Sequence, residues 1–127
     1  MTFVKGLKKA PTNIQPEKVE HIKVVEWLRQ KTDLPYLHIA NERKTTIQHN
    51  IMLKKMGVRA GVSDLFLPRG NEHFSGLWLE MKAPGGRITN SQVKFLKDMR
   101  DEGYETAVCY SSEEAIEFIK DFYEIVS

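Results

Sequence analysis

Three ionisable residues sit within two short apolar stretches where a purely structural sequence would leave hydrophobic ones. Asp64 opens "DLFLP", and Glu80 and Lys82 stand inside "GLWLEMKA". Both stretches read as strands, joined by the polar turn between them. With that turn centred on Glu72, Leu67 falls opposite Leu77, Leu65 opposite Leu79, and Asp64 opposite Glu80. Side chains alternate along a strand, so Leu65, Leu67, Leu77, Leu79 and Met81 share one face, while Asp64, Glu80 and Lys82 share the other. Two carboxylates at roughly 5 Å and an effective dielectric of about 20 repel by roughly 3 kcal/mol, so something must offset them. A hard divalent cation such as Mg²⁺ or Mn²⁺ does this, taking one or two carboxylates and leaving its other positions to water and phosphate oxygens. Lys82 could then hold an attacking water or hydroxide and stabilise charge building on phosphorus. The plainer alternative leaves the trio on the solvated face of an antiparallel hairpin, with Lys82 paired to Glu80 or Asp64 at almost no net energy.

The neighbouring elements decide what could position such a patch. Pro16 and Glu17 suit a helix start, and Val19, Ile22, Val25 and Leu28 recur at helical spacing, predicting a helix over 17–31. "PYLHIA" suits a short strand, and "TTIQHNIMLKKMG" a helix stopped by Gly57. Strands are expected over 64–68 and 76–82. Thr89 and Gln92 have capping-box spacing and open a helix that ends at Gly103, with Val93, Leu96 and Met99 inward. "YETAVCY" is β-branched and aromatic, hence a strand. Ser111 and Glu114 cap a last helix whose Ala115, Ile119, Phe122 and Val126 face one way. The order helix, strand, helix, strand, strand, helix, strand, helix fits an α/β fold with a mixed sheet flanked by helices. Residues 1–16 are expected to be a mobile basic arm, and 17–127 one domain.

Composition narrows the function classes. The chain has 127 residues, 41% apolar and 28% charged, which argues against a disordered or membrane protein. No stretch approaches the roughly 20 apolar residues of a spanning helix, and no signal peptide is visible at the start. Cys109 is the only cysteine, which suits a reducing compartment, so a cytoplasmic location is expected. A net charge of +2 conceals an asymmetry: residues 1–63 hold 12 Lys/Arg against 5 Asp/Glu, and residues 64–127 hold 7 against 12. The clusters Lys5/Lys8/Lys9, Arg43/Lys44 and Lys54/Lys55/Arg59 suit either a solvated surface or one that faces phosphates. No Cys/His cluster suggests zinc, and His21, His38, His49 and His73 lack ligand spacing. Neither a Ser/His/Asp set nor a phosphate-cradling glycine loop is visible.

From about Lys54 to Tyr110, "GVSD" followed by "LEMKAPGGRITNSQVKFLKDMRDEGYETAVCY" resembles the VRR-Nuc family of virus-type replication and repair nucleases. That family lies in the restriction-endonuclease-like PD-(D/E)xK superfamily. The resemblance rests on Gly61 to Asp64, Glu80 to Lys82, the turn Pro84 to Gly86, and Gln92. It implies a mixed sheet of about four strands with helices on both faces. It further implies that Asp64, Glu80 and the Met81 backbone carbonyl ligate Mg²⁺ or Mn²⁺, and that Lys82 activates the water. Gln92 would face the site, which is taken to prevent it from capping its helix. Glu20, with Glu42 as a rival, matches the superfamily's first-helix acid. Ser63 departs from the family, which usually has proline before the aspartate. Small stand-alone members, often viral, resemble junction-resolving nucleases in which a symmetric dimer cuts opposing strands of a four-way (Holliday) junction. Arg43, Lys44, Arg59 and Arg87 are the candidate phosphate contacts. The alternatives are a less selective nuclease on flaps, single strands or duplex, a non-catalytic DNA-binding module, and a phosphatase or small-nucleotide hydrolase.

Overall fold

A computed structural model of the protein describes residues 16–40 and 46–126. The expected arm falls almost wholly outside that range, as do Glu42, Arg43 and Lys44. Helix α1 (Pro16–Lys31) leads to strand β1 (Leu37–His38), helix α2 (Ile47–Lys55), strands β2 (Leu65–Leu67) and β3 (Leu77–Met81), helix α3 (Asn90–Asp101), strand β4 (Glu105–Cys109) and helix α4 (Ser112–Tyr123). The order of elements is the one expected, with the strands shorter at their ends.

The four strands form one mixed sheet in the order β1-β2-β3-β4. β1 with β2 and β2 with β3 are antiparallel, and β3 with β4 is parallel, with α3 as the crossover between them. The hairpin register sets Leu65 against Leu79 and Leu67 against Leu77. Alternation sends Leu65, Leu67, Leu77, Leu79 and Met81 to one face, each at most 2% exposed. There they meet Val24 and Leu28 of α1 and Ala115, Ile119 and Phe122 of α4 in a single apolar cluster. α1 therefore turns Val24 and Leu28 inward and leaves Ile22 half exposed.

The opposite face of the hairpin is largely covered, contrary to the plainer alternative: Glu80 is buried, and Phe66 and Trp78 are half-buried. Phe66 stacks on Trp78 with centroids 4.2 Å apart, and Phe95 of α3 meets Trp78 edge-on at 4.9 Å. Burying these rings turns α3 so that Phe95 and Leu96 point inward, while Val93, expected inside, is 48% exposed. Val126 is likewise 96% exposed, because α4 ends at Tyr123 and Glu124 takes a left-handed conformation with φ of 55°. Helices thus cover both faces, and the second aromatic layer runs directly up to Glu80.

Candidate active site

Asp64 stands one residue before β2, beside the end of β3. Its backbone carbonyl accepts from the Ile39 N–H at 2.8 Å, and His38 Nδ1 lies 3.1 Å away. Its carboxylate Oδ2 accepts from the Met81 N–H at 3.1 Å. Both ends of the residue are therefore pinned, one by the edge strand and one by β3.

Glu80 is 3% exposed and lies on the face that α3 covers. Its Oε2 accepts from Gln92 Nε2 at 3.1 Å and lies 3.7 Å from Lys82 Nζ. Its Oε1 is buried and has no hydrogen-bond partner among the described residues. Burial first, then the neighbouring Asp64 charge, pushes Glu80 from 4.5 up to about 8 against the opposing pull of Lys82. A buried carboxylate with one oxygen unsatisfied is a costly arrangement for a structural residue. Its donor set is hard oxygen, and the repulsion between the two acids is what a divalent cation would relieve. The residues thus fit Mg²⁺ or Mn²⁺. Among the described residues no three Asp, Glu, His or Cys side chains converge, so the protein's side-chain ligands would be these two carboxylates. That number suits an ion that keeps waters and takes substrate oxygens.

Gln92 shows how α3 is aimed at the site. Thr89 Oγ1 accepts from the Gln92 N–H at 3.2 Å, and Gln92 Oε1 accepts from the Thr89 N–H at 2.9 Å, completing a capping box. The expectation that facing the site would prevent capping is corrected: the amide oxygen caps the helix while the amide nitrogen holds Glu80. One side chain does both because an amide carries separate donor and acceptor groups. Gly61 accounts for the close seating of this helix. Its φ is +84°, and a Cβ there would come within 2.7 Å of the Gln92 nitrogen. Any side chain would push α3 away from the loop that carries Asp64.

The trio opens into a cavity of about 700 Å³ that Glu17, Lys54, Arg59, Asp64, Glu80 and Lys82 help to line. Glu20 is absent from that wall. Its Oε1 accepts from the Ser112 N–H at 2.7 Å and its Oε2 from Lys23 at 3.0 Å, so it caps the start of α4. The Ser112 hydrogen bond first, then that from Lys23, holds Glu20 down at about 2. The first-helix acid at the cleft is Glu17, one turn earlier. Sequence reading passed over it because helix phase relative to the sheet depends on tertiary packing. His38 was also missed, since its place beside Asp64 follows from β1–β2 pairing. Arg59 lines the cleft, with its guanidinium 2.7 Å from Asp98 and over the Phe95 ring. Arg87 is exposed on the loop after Gly86. Met81 buries its side chain in the core and turns its N–H to Asp64. Ser63 is fully buried, and its Oγ has no partner among the described residues.

A solved protein described as a "VRR_NUC domain protein" shares the fold, with a TM-score of 0.73 and 20% identity over 87% of this chain and 90% of that one. No curated protein matches the chain. The VRR-NUC domain family matches residues 10–113, a span that contains α1, every strand and the whole cleft. The chain belongs to the VRR-NUC family, and its domain is of the nuclease type.

Proposed function

We propose that the protein is a metal-dependent endodeoxyribonuclease that hydrolyses phosphodiester bonds in branched DNA, four-way junctions foremost, and acts as a homodimer in the cytoplasm. The observation that carries this reading is Glu80, buried beside Asp64 with one oxygen unpartnered and the other held by Gln92 and near Lys82.

Asp64 and Glu80 would hold Mg²⁺ or Mn²⁺, with the Met81 carbonyl as a further ligand. When bound, the ion supplies a Lewis acid that neutralises the paired carboxylates, polarises the phosphate and makes a bound water more acidic. The chain's own residues do the positioning. Gln92 fixes the Glu80 carboxylate through Oε2 and leaves Oε1 available. Lys82, its side chain 14% exposed, presents an ammonium group that orients the attacking water and stabilises charge developing on the phosphate. The buried setting strengthens that interaction because little water screens it. Glu17 is the acid on the cleft wall suited to assist through a water, while Glu20 holds α4 in place.

Arg43, Lys44, Arg59 and Arg87 would supply phosphate contacts, which position a duplex without reading its bases. A two-fold dimer would provide two such sites for paired cuts. Rates of cleavage of a four-way junction, a flap and a linear duplex with Mg²⁺ test the reading. The junction should be cut fastest and at paired positions. Equal rates on all three would favour the less selective nuclease, and tight binding without any cleavage would favour a non-catalytic module.

A further inference from the structure

Helix α2 is out of keeping with the rest of the molecule. None of its nine residues is buried. Ile47 is 76% exposed, Ile51 51% and Met52 53%. A nine-residue helix has little stability of its own, and helices in proteins are held mainly by packing an apolar face. This one turns Ile47, Ile51 and Met52 to solvent. Its position is equally unusual, because Asn50, Leu53 and Lys54 line the same cleft as Asp64, Glu80 and Lys82. Ile47 and Ile51 stand three residues before Asn50 and Lys54 respectively, so they form the row beside these cleft-lining residues on the helix surface.

Charge identifies the occupant. From Thr46 to Ser63 the chain contains no Asp or Glu, and it carries Lys54, Lys55 and Arg59, the last already paired with Asp98. A second copy placed against this face by two-fold symmetry would bring like charges together, whereas a polyanion gains from each cation it meets. Apolar residues on a basic element suit DNA where bases are unstacked, because Ile and Met side chains then cover base faces that water otherwise wets.

We infer that α2 is a wedge: Ile47 and Ile51, exposed beside the residues of α2 that line the cleft, pack on bases left unstacked at a branch point and so select branched over continuous DNA. This rests on the nuclease reading above and adds the element that makes it structure-selective.

The test compares the full chain with the double variant Ile47→Ser and Ile51→Ser. Both sites are exposed, and unchanged circular dichroism and melting temperature verify the fold. Binding to a forked duplex, with a fluorescent aminopurine at the branch point, and to a linear duplex of the same sequence is measured in metal-free buffer. The parent should prefer the fork by about tenfold and brighten the aminopurine as its base leaves the stack. The variant should bind both DNAs alike, hold the duplex as the parent does, and leave the aminopurine dim. A variant that keeps the fork preference, or a parent that has none, overturns the inference. So does a parent that sediments as a dimer and a variant that sediments as a monomer, since the face would then belong to a second copy. Binding is read without metal, so absent cleavage in a parallel Mg²⁺ assay would sink the nuclease reading alone.

Discussion

The proposed chemistry turns on two neighbouring acids, Asp64 and Glu80, whose charges repel across the hairpin. An unfolded glutamate loses its proton near 4.5, whereas Glu80 keeps it to about 8. In that window the metal-free fold binds a proton that the unfolded chain has released, so its stability falls as pH rises from about 4.5 through about 8. Melting in EDTA should show this decline, Glu80→Gln should flatten it, and Mn²⁺ should raise the melting temperature most at the alkaline end. A parent with the same slope as Glu80→Gln would contradict the burial argument. Lys82→Ala should keep the fold and lose roughly a hundredfold or more in single-turnover cleavage with Mg²⁺. The pattern of Asp64, Glu80 and Lys82 was legible in the sequence because strand alternation and turn length alone bring them to one face. The state of Glu80 was not, since its burial comes from α3, an element about ten residues away in sequence.

At the scale of elements, two helix starts hold the site together, and both rest on side chains that serve beyond their own helix. Thr89 and Gln92 announced a capping box, which the structure contains. The second bond from that same Gln92 amide could not be read from spacing, because it depends on where β3 lies. Gly61 is the backbone counterpart. Gly61→Ala should destabilise by about 2–4 kcal/mol, combining a left-handed backbone with a clash against the first turn of α3, and should impair cleavage through displaced Gln92. Chemical denaturation measures the first effect and single-turnover rates the second. Glu20→Gln should cost about 1–2 kcal/mol by removing the charge that caps α4, with cleavage rates retained. Loss of cleavage at unchanged stability would instead assign Glu20 to the chemistry. Periodicity located each helix but not its rotation: α3 follows the aromatic pocket around Trp78, so Phe95 is buried where Val93 was expected.

For the whole molecule, the mixed sheet and the order of its elements followed from the alternation of strand and helix patterns, because each pattern is local. The pairing of β1 with β2 is not local, and neither is the cleft wall formed by α2. The basic first half of the chain places Lys54 and Arg59 on that wall. If four cations neutralise phosphates, affinity for duplex DNA should fall roughly a hundredfold between about 50 and 200 mM salt, measured by anisotropy at fixed pH. A nearly flat response would assign these charges to the solvated surface instead.

We propose that Asp64 and Glu80 together hold a divalent ion, and everything the site does follows from that. Calorimetric titration of Mn²⁺ into the parent, Asp64→Asn and Glu80→Gln tests it most directly. One saturable binding event is expected in the parent, weakened at least about tenfold in either variant while both stay folded. Equal Mn²⁺ affinity in all three proteins, or none in the parent, would contradict it.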